Sequence, residues 1–460
     1  MKNSIWKSSD KIALILYPVL LAVILFIFYP PFYAISDEQA YLSTAYALGK
    51  GTLFLDNAGL KNSFAGITTK SHLINKYPIG NSLLLTPFTI INWKFGFLRN
   101  YIFFFAGFLL FLKIFDHYGI DRKMALLYLL HPSIILYSRT LMSDIPSMFF
   151  ALLGVYLILK KKYYLAGISL GFNLLIRYTN LLLPLGICTG LLLEKRSKDA
   201  LKILPGVFLG LVLLLLYNWK AWGDFTLPFI RTGGGTFSMK YLKTSGLYYL
   251  ISLNVLYPFM LVVTLVQGIK RKFTGFLFTT LMFLITYSFY YYIHKGSNLI
   301  ETLVMGQRFM LPVIPLMLLL YANYVDRGHS LKISLTWILP LLFILDIGMI
   351  WKHQIYLNRH RKMAETVLNK TRGSDILILS SETIELINPF ISQQNWVSLN
   401  QLNNINLSQY KNIFLVIRRE SDKNNFPDIS RIAPVKSRLP IYMGKGIIIY
   451  KLIPPIDRKG

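Results

Sequence analysis

The stretch that follows the first apolar run, "YPPFYAISDEQAYLSTAYAL", carries two adjacent carboxylates, Asp37 and Glu38. Acidic side chains beside a bilayer are costly to desolvate and tend to be retained for function. One of them can take the proton of an attacking hydroxyl. The same residues also read as a helix start. Ser36 would be the N-cap and Gln39 its capping-box partner, with Asp37 and Glu38 in the first turn, where the helix dipole favours negative charge. Tyr41 lies on the same short helix. Further along the loop comes "NKYPIGNSLLLTPF", in which Lys76 and Tyr77 precede Pro78. Lys76 suits either an interfacial snorkelling lysine or an anion ligand. Asp144, in "SDIP", is a second acidic position at a helix start, with Ser143 or Asp144 as the cap and Pro146 in the first turn. Arg177 stands between two short apolar runs. Arg308, in "MGQRFMLPVIP", begins another, where a cation opposes the helix dipole and calls for a nearby anion. Arg231 precedes "TGGG", which reads as a flexible loop and offers a further substrate contact. A carboxylate base and a cationic clamp suit transfer from an anionic donor to a hydroxyl. The carboxylate takes the acceptor proton, and Arg and Lys stabilise the departing phosphate. Phosphate leaves with little protonation, so no second acid is demanded, unlike glycoside hydrolysis.

The composition says where such groups must work. Of 460 residues, 54% are hydrophobic and 15% charged, against about a quarter charged in soluble domains. Long apolar runs place the chain among multi-pass membrane proteins. The net charge of +28 does not collect on one soluble face. Lys and Arg recur in short loops between apolar runs, the positive-inside pattern. Membrane lipids are therefore the expected partners, not nucleic acid. The one cysteine, Cys188, excludes a disulfide framework and a Cys-based metal site within one chain. His72 and His294 have no neighbour at metal-ligand spacing. The two carboxylate sites admit a divalent metal ion without specifying one. No phosphate-binding Gly-rich motif occurs.

The elements that must hold these residues are mostly helices. At about 20 apolar residues per span, the sequence predicts eleven crossings, beginning with a retained helix over Ile12–Tyr29 and a cytoplasmic N-terminus. The third is expected at Met124–Tyr137, the eighth at Leu247–Val266, the tenth at Phe309–Tyr324 and the eleventh at Ile333–Ile350. The "IGNSLLLTPF" run is too short to span and reads as re-entrant or surface-lying. A first loop over 31–98 then carries Asp37, Glu38, Tyr41, Lys76 and Tyr77 on the extracytoplasmic side. Residues 1–350 form the membrane domain. Residues 351–460 turn polar, with β-rich runs "DILILS", "NWVSL", "NIFLVI" and "KGIIIYKLI". They are expected to form a small α/β domain, also extracytoplasmic. The fold class is thus mainly α and polytopic with a small C-terminal α/β domain.

These motifs together resemble the polytopic lipid-phosphate-dependent glycosyltransferases of the GT-C superfamily, such as protein O-mannosyltransferases and the lipid A aminoarabinose transferase. The resemblance covers roughly residues 10–350 and rests on "SDEQAYLSTAYAL", "KYPIGNSLLL", the acid after the third crossing and "QRFMLPVIPL". It implies that Asp37, with Glu38 beside it, is the catalytic base or positions the acceptor, and that Asp144 assists. Lys76 resembles a donor-phosphate lysine that directly precedes proline, although Tyr77 intervenes here. Arg308 matches the arginine before a Leu-Pro of a late crossing. The implied donor is a polyprenyl-phosphate-linked sugar, used by inverting displacement at the outer face. The acceptor is a lipid, a glycan or a protein. A prokaryotic plasma membrane is the expected location. A flippase of lipid-linked saccharides is the alternative, but it should place its ionisable groups near the midplane; Asp346 is the main residue that does so.

Overall fold

The computed structural model describes residues 8–69, 71–225, 236–270, 273–293, 295–327, 335–380, 382–399, 407–418, 437–444 and 446–453. Arg231, residues 232–235 and His294 lie outside them. The chain divides into two compact units. The first comprises Met1–Tyr29, Pro78–Asn81 and Phe97–His353; the second comprises Pro30–Tyr77, Ser82–Gly96 and Gln354–Gly460.

The first unit is a helical assembly of a multi-pass membrane protein. Among the described residues of the whole chain, three helices are long and apolar enough to cross a membrane: Phe95–Tyr118, Ser197–Trp222 and the 338–370 part of the helix Leu335–Lys370. Two bent pairs raise the number to five if each is one span: Met239–Val255 with Met260–Gly268, bent by 92°, and Leu299–Met310 with Ile314–Asp326, bent by 106°. Six further apolar helices have 10–17 residues, among them Ile12–Ile27 and Ile79–Ile91. Some of the expected crossings are bent or broken. The eighth expected span falls on the first bent pair and the tenth on the bend and second helix of the other, and Pro258, Pro312 and Pro315 lie at or beside the bends. Proline removes an amide donor and drives the residue before it out of helical geometry. The third breaks at His131, which precedes Pro132, into Leu126–Leu129 and Pro132–Ser138. The eleventh runs 20 residues past Ile350, to Lys370.

One packing detail bears on function. The helix Tyr163–Ile176 crosses Ser197–Trp222 at facing glycines, Gly167 and Gly171 against Gly206 and Gly210. A Cβ at any of the four would overlap the backbone of the facing helix. The two Gly-x3-Gly spacings let the backbones touch, a common way to join helices in lipid. This seam fixes the helix that ends at Arg177.

The second unit holds the helix Ser36–Gly49 and a hairpin of β1 (Gly66–Thr68) and β2 (Leu73–Asn75), with Ile67 opposite Ile74. Its five-stranded sheet contains β3 (Ile376–Leu379), β4 (Trp396–Ser398), β5 (Ile413–Arg418), β6 (Ser437–Gly444) and β7 (Ile447–Ile453), in the order β4-β3-β5-β7-β6. β3 pairs in parallel with β4 and β5; β5–β7 and β7–β6 are antiparallel. Ile376, Ile378, Val397, Ile413, Leu415, Ile417 and Leu452 form the core. The four β-rich runs are β3, β4, β5 and β7. β6 escaped notice because Pro440 interrupts it, and an edge strand tolerates proline.

Candidate active site

The sequence-predicted residues form two groups, one in each unit. In the second unit the helix Ser36–Gly49 starts one residue earlier than its cap motif suggests. Its N-cap is Ile35, so Glu38, not Gln39, occupies the third position. The buried Glu38 carboxylate accepts hydrogen bonds from the backbone N–H of Ala34 at 2.8 Å and of Ile35 at 3.1 Å. It thereby satisfies amides that the first turn leaves unpaired. Gln39 instead uses its Oε1 to accept the N–H of Phe64. Asp37, the neighbour of Glu38, is only partly buried, and its Oδ1 accepts the Tyr77 hydroxyl at 2.7 Å.

Tyr77 reaches Asp37 because Asn75 ties the hairpin to the helix. The Asn75 amide donates to Ala40 O and Thr44 Oγ1, and its oxygen accepts the Ser63 hydroxyl. Beyond this anchor the Tyr77 ring packs against Tyr41, with centroids 5.0 Å apart. The Lys76 ammonium stands 5.6 Å from the Tyr77 ring and 5.9 Å from Phe64. A carboxylate, an ammonium and an aromatic floor are thus brought together: Asp37, Lys76, Tyr41, Tyr77 and Phe64. Phe64 was not foreseen, since a lone aromatic in a polar loop gives no local signal. His72 lies elsewhere, stacked on Phe54 and 3.0 Å from Asp56. Burial opposes ionisation of Asp56, but hydrogen bonds from His72 and Leu73 hold its carboxyl below the ordinary range.

In the first unit Asp144 begins the helix Asp144–Leu159 and is fully buried. Its Oδ1 pairs with Arg177 Nη1, and its Oδ2 accepts from Arg308 Nε at 3.3 Å. The anion that Arg308 calls for is therefore Asp144. Arg308 lies in the one-turn segment Gly306–Met310 at the bend of its helix pair, not at the start of a long helix. Both guanidinium carbons stand 5.3 Å from the Phe309 ring, and Tyr287 and Tyr290 pack on that ring. Hydrogen bonds hold both flanks of the group. Asn173 donates to Ser147 O at 2.9 Å and Asn180 to Ser147 Oγ at 2.8 Å, around Arg177 and Asp144. Gln307 donates to Ser252 O and accepts from Ser133, beside Arg308.

Two cations against one carboxylate leave the group with one net positive charge. Guanidinium carries five N–H donors in a fixed fork that matches phosphate oxygens. Phe309 went unpredicted as the shared platform, although the aromatic run "YSFYYY" marks the segment that packs on it. Asp346 lies fully buried in the helix Leu335–Lys370, and neither of its carboxylate oxygens has a hydrogen-bond partner among the described residues. Among the described residues no three His, Cys, Asp or Glu side chains group as a metal site would need.

The sequence matches no family model and no curated relative. Among solved structures the chain is similar to ArnT from Cupriavidus metallidurans bound to undecaprenyl phosphate. The TM-score is 0.64 at 12% identity, over 95% of this chain and 97% of that one. It is also similar to the apo state of ArnT, with a TM-score of 0.63 at 11% identity, over 96% of this chain and 98% of that one. Identities this low speak for fold alone, and the fold of this chain is similar to that of ArnT, the lipid A aminoarabinose transferase of the GT-C type its motifs resemble.

Proposed function

We propose that the protein is a membrane glycosyltransferase. It moves a sugar from a polyprenyl-phosphate donor to a hydroxyl of a lipid, glycan or protein acceptor at the extracytoplasmic face. The observation that carries this reading is the pairing of Arg177 and Arg308 on one buried carboxylate, which leaves a positive site suited to a phosphate monoester or diester. The fold shared with a protein crystallised with undecaprenyl phosphate supports the same donor class.

In the proposed step Asp37 removes the acceptor hydroxyl proton while that oxygen attacks the anomeric carbon from the face opposite the phosphate. The carbon–phosphate-oxygen bond breaks, configuration inverts and the electron pair departs with the polyprenyl phosphate. Tyr77 orients Asp37. Arg177 and Arg308, in the first unit, are proposed donor-phosphate ligands; within the second unit Lys76 is proposed as another, and Tyr41 and Tyr77 offer ring faces to the sugar. Asp144 is a positioning residue, since both its oxygens are committed to the arginines. Glu38 is likewise a positioning residue, since its carboxylate closes the helix start. Arg231 retains its proposed role as a substrate contact, and no metal is assigned a part.

The test is transfer by the purified protein from a radiolabelled polyprenyl-phosphate sugar into a cell-envelope lipid extract. The expected result is labelled acceptor with wild type and at least about 100-fold less with Asp37→Asn, the order of a general base's contribution. Transfer undiminished by Asp37→Asn would remove the base from this scheme. Absence of transfer with every donor would remove the scheme itself.

A further inference from the structure

The resemblance to glycosyltransferases assigns no role to the C-terminal 110 residues. We propose that their segment 384–396 is a positioning clamp for the helix that carries Asp37, acting through Tyr33, Tyr46 and Gln393. The proposal rests on Asp37 being the base.

The grip has three points, all within the second unit. At the start of the helix, fully buried Tyr33 donates its hydroxyl to Ile387 O at 2.8 Å. Its ring stacks on Phe32 at 4.3 Å and stands edge-on to Trp93. The next two residues, Ala34 and Ile35, are the ones whose amides hold the Glu38 carboxylate. Tyr33 thus fixes the backbone against which Glu38 closes the first turn, and Asp37 is the residue next to Glu38. At the third turn of the helix, Tyr46 stands edge-on to Phe390 at 5.1 Å, and its hydroxyl accepts from Gln393 Nε2. In the loop before β1, the Asn62 side-chain amide donates to Trp396 O in β4.

The clamp is itself fixed to the sheet. Thr383 donates to Ser380 O at 3.0 Å and lies 3.2 Å from Val416 O in β5. Arg418, the last residue of β5, stands 3.4 Å from the buried Glu385 carboxylate and 3.4 Å from His360 Nε2. Burial pushes the Glu385 carboxyl up to about 8, against the opposing pull of Arg418. The helix start is therefore held by a sheet whose strands come from residues 376–453. A catalytic carboxylate on a short helix of a long loop needs such support, because displacement by about 1 Å costs on the order of 100-fold in rate.

Two readouts on the full-length protein test the clamp. The first is hydrogen exchange of the Ser36–Gly49 amides. Tyr33→Phe keeps the ring and removes the hydroxyl, and Gln393→Ala removes the amide. The expected result is at least about 10-fold faster exchange over the first two helical turns in the double variant. Unchanged exchange would overturn the clamp, whatever the activity. The second is a kinetic cycle. Tyr33→Phe should lower kcat by about 10- to 100-fold with donor KM within about twofold, and should add nothing in an Asp37→Asn background. Equal losses with and without Asp37 would show a general structural role and overturn the positioning claim. Full activity of Asp37→Asn alone would instead refute the base assignment, while the exchange result would still decide whether the grip exists.

Discussion

Replacing Asp144 by Asn tests how the two arginines are held. The carboxylate is fully buried, and its partners are nearly so, with side-chain exposures of 11% for Arg177 and 8% for Arg308. Asn keeps the shape and one acceptor but removes the charge, so the group goes from one net positive charge to two. Removing one member of a buried pair costs about 3–5 kcal/mol, because the partner's charge is left uncompensated. Here two cations share the loss, so the upper part of that range is expected. The assay is chemical unfolding in detergent, together with donor KM and kcat. The account predicts the stability loss and a donor KM raised at least about 10-fold, since about 1.4 kcal/mol of lost alignment is a factor of ten. It also predicts that adding Arg177→Met to Asp144→Asn recovers part of the stability by removing one stranded charge. Additive losses in the double variant would show that Asp144 does not balance the charge of Arg177. An unchanged KM with a collapsed kcat and a displaced pH optimum would instead make Asp144 a proton-transfer group.

Tyr77→Phe removes a hydrogen bond to a carboxylate, worth about 1.5–3 kcal/mol when one partner is charged, and kcat should fall by about 10- to 100-fold at constant donor KM. Gly171→Leu forces a side chain into the backbone of Ser197–Trp222, so folded yield should fall sharply while Gly348→Ala, where a Cβ meets nothing within 4 Å, stays near wild type. For Glu385 the sign follows from a folded value raised from 4.5 to about 8. Its contribution to stability is complete below about 4.5 and is lost as pH rises through about 8. Melting of wild type should therefore decline across that window, and Glu385→Gln should flatten the decline. Asp346→Leu removes a buried carboxylate without a partner among the described residues and should raise stability by about 1–3 kcal/mol, as read by the unfolding midpoint.

Local structure was legible in the sequence where the signal is local. The helix start at "SDEQ" and runs such as "NIFLVI" carry their meaning within a few residues. The four β-rich runs became strands, and most apolar runs became helices. Pairings across the chain were not legible. Nothing near Arg308 identifies Asp144, 164 residues away, as its anion. Nothing near Tyr33 identifies Ile387, 354 residues away. Span geometry was lost for a related reason: hydropathy counts apolar residues but is blind to a 92° or 106° bend. The helix starts one residue before the expected position, with the Glu38 carboxylate on the Ala34 and Ile35 amides. That shift separates the two acids, leaving Glu38 inside the fold and Asp37 toward the partly open side with Tyr77.

A transferase breaks the sugar–phosphate bond, whereas a flippase carries the lipid-linked sugar across intact. Proteoliposomes containing the full chain, doubly labelled donor in the bilayer and acceptor extract on the side of the first loop measure this directly. Released polyprenyl phosphate and glycosylated acceptor are quantified from the same sample. The two should appear in equal amounts, and both should vanish with Asp37→Asn. Intact donor appearing in the opposite leaflet, with no polyprenyl phosphate released and no effect of Asp37→Asn, would contradict the transferase reading.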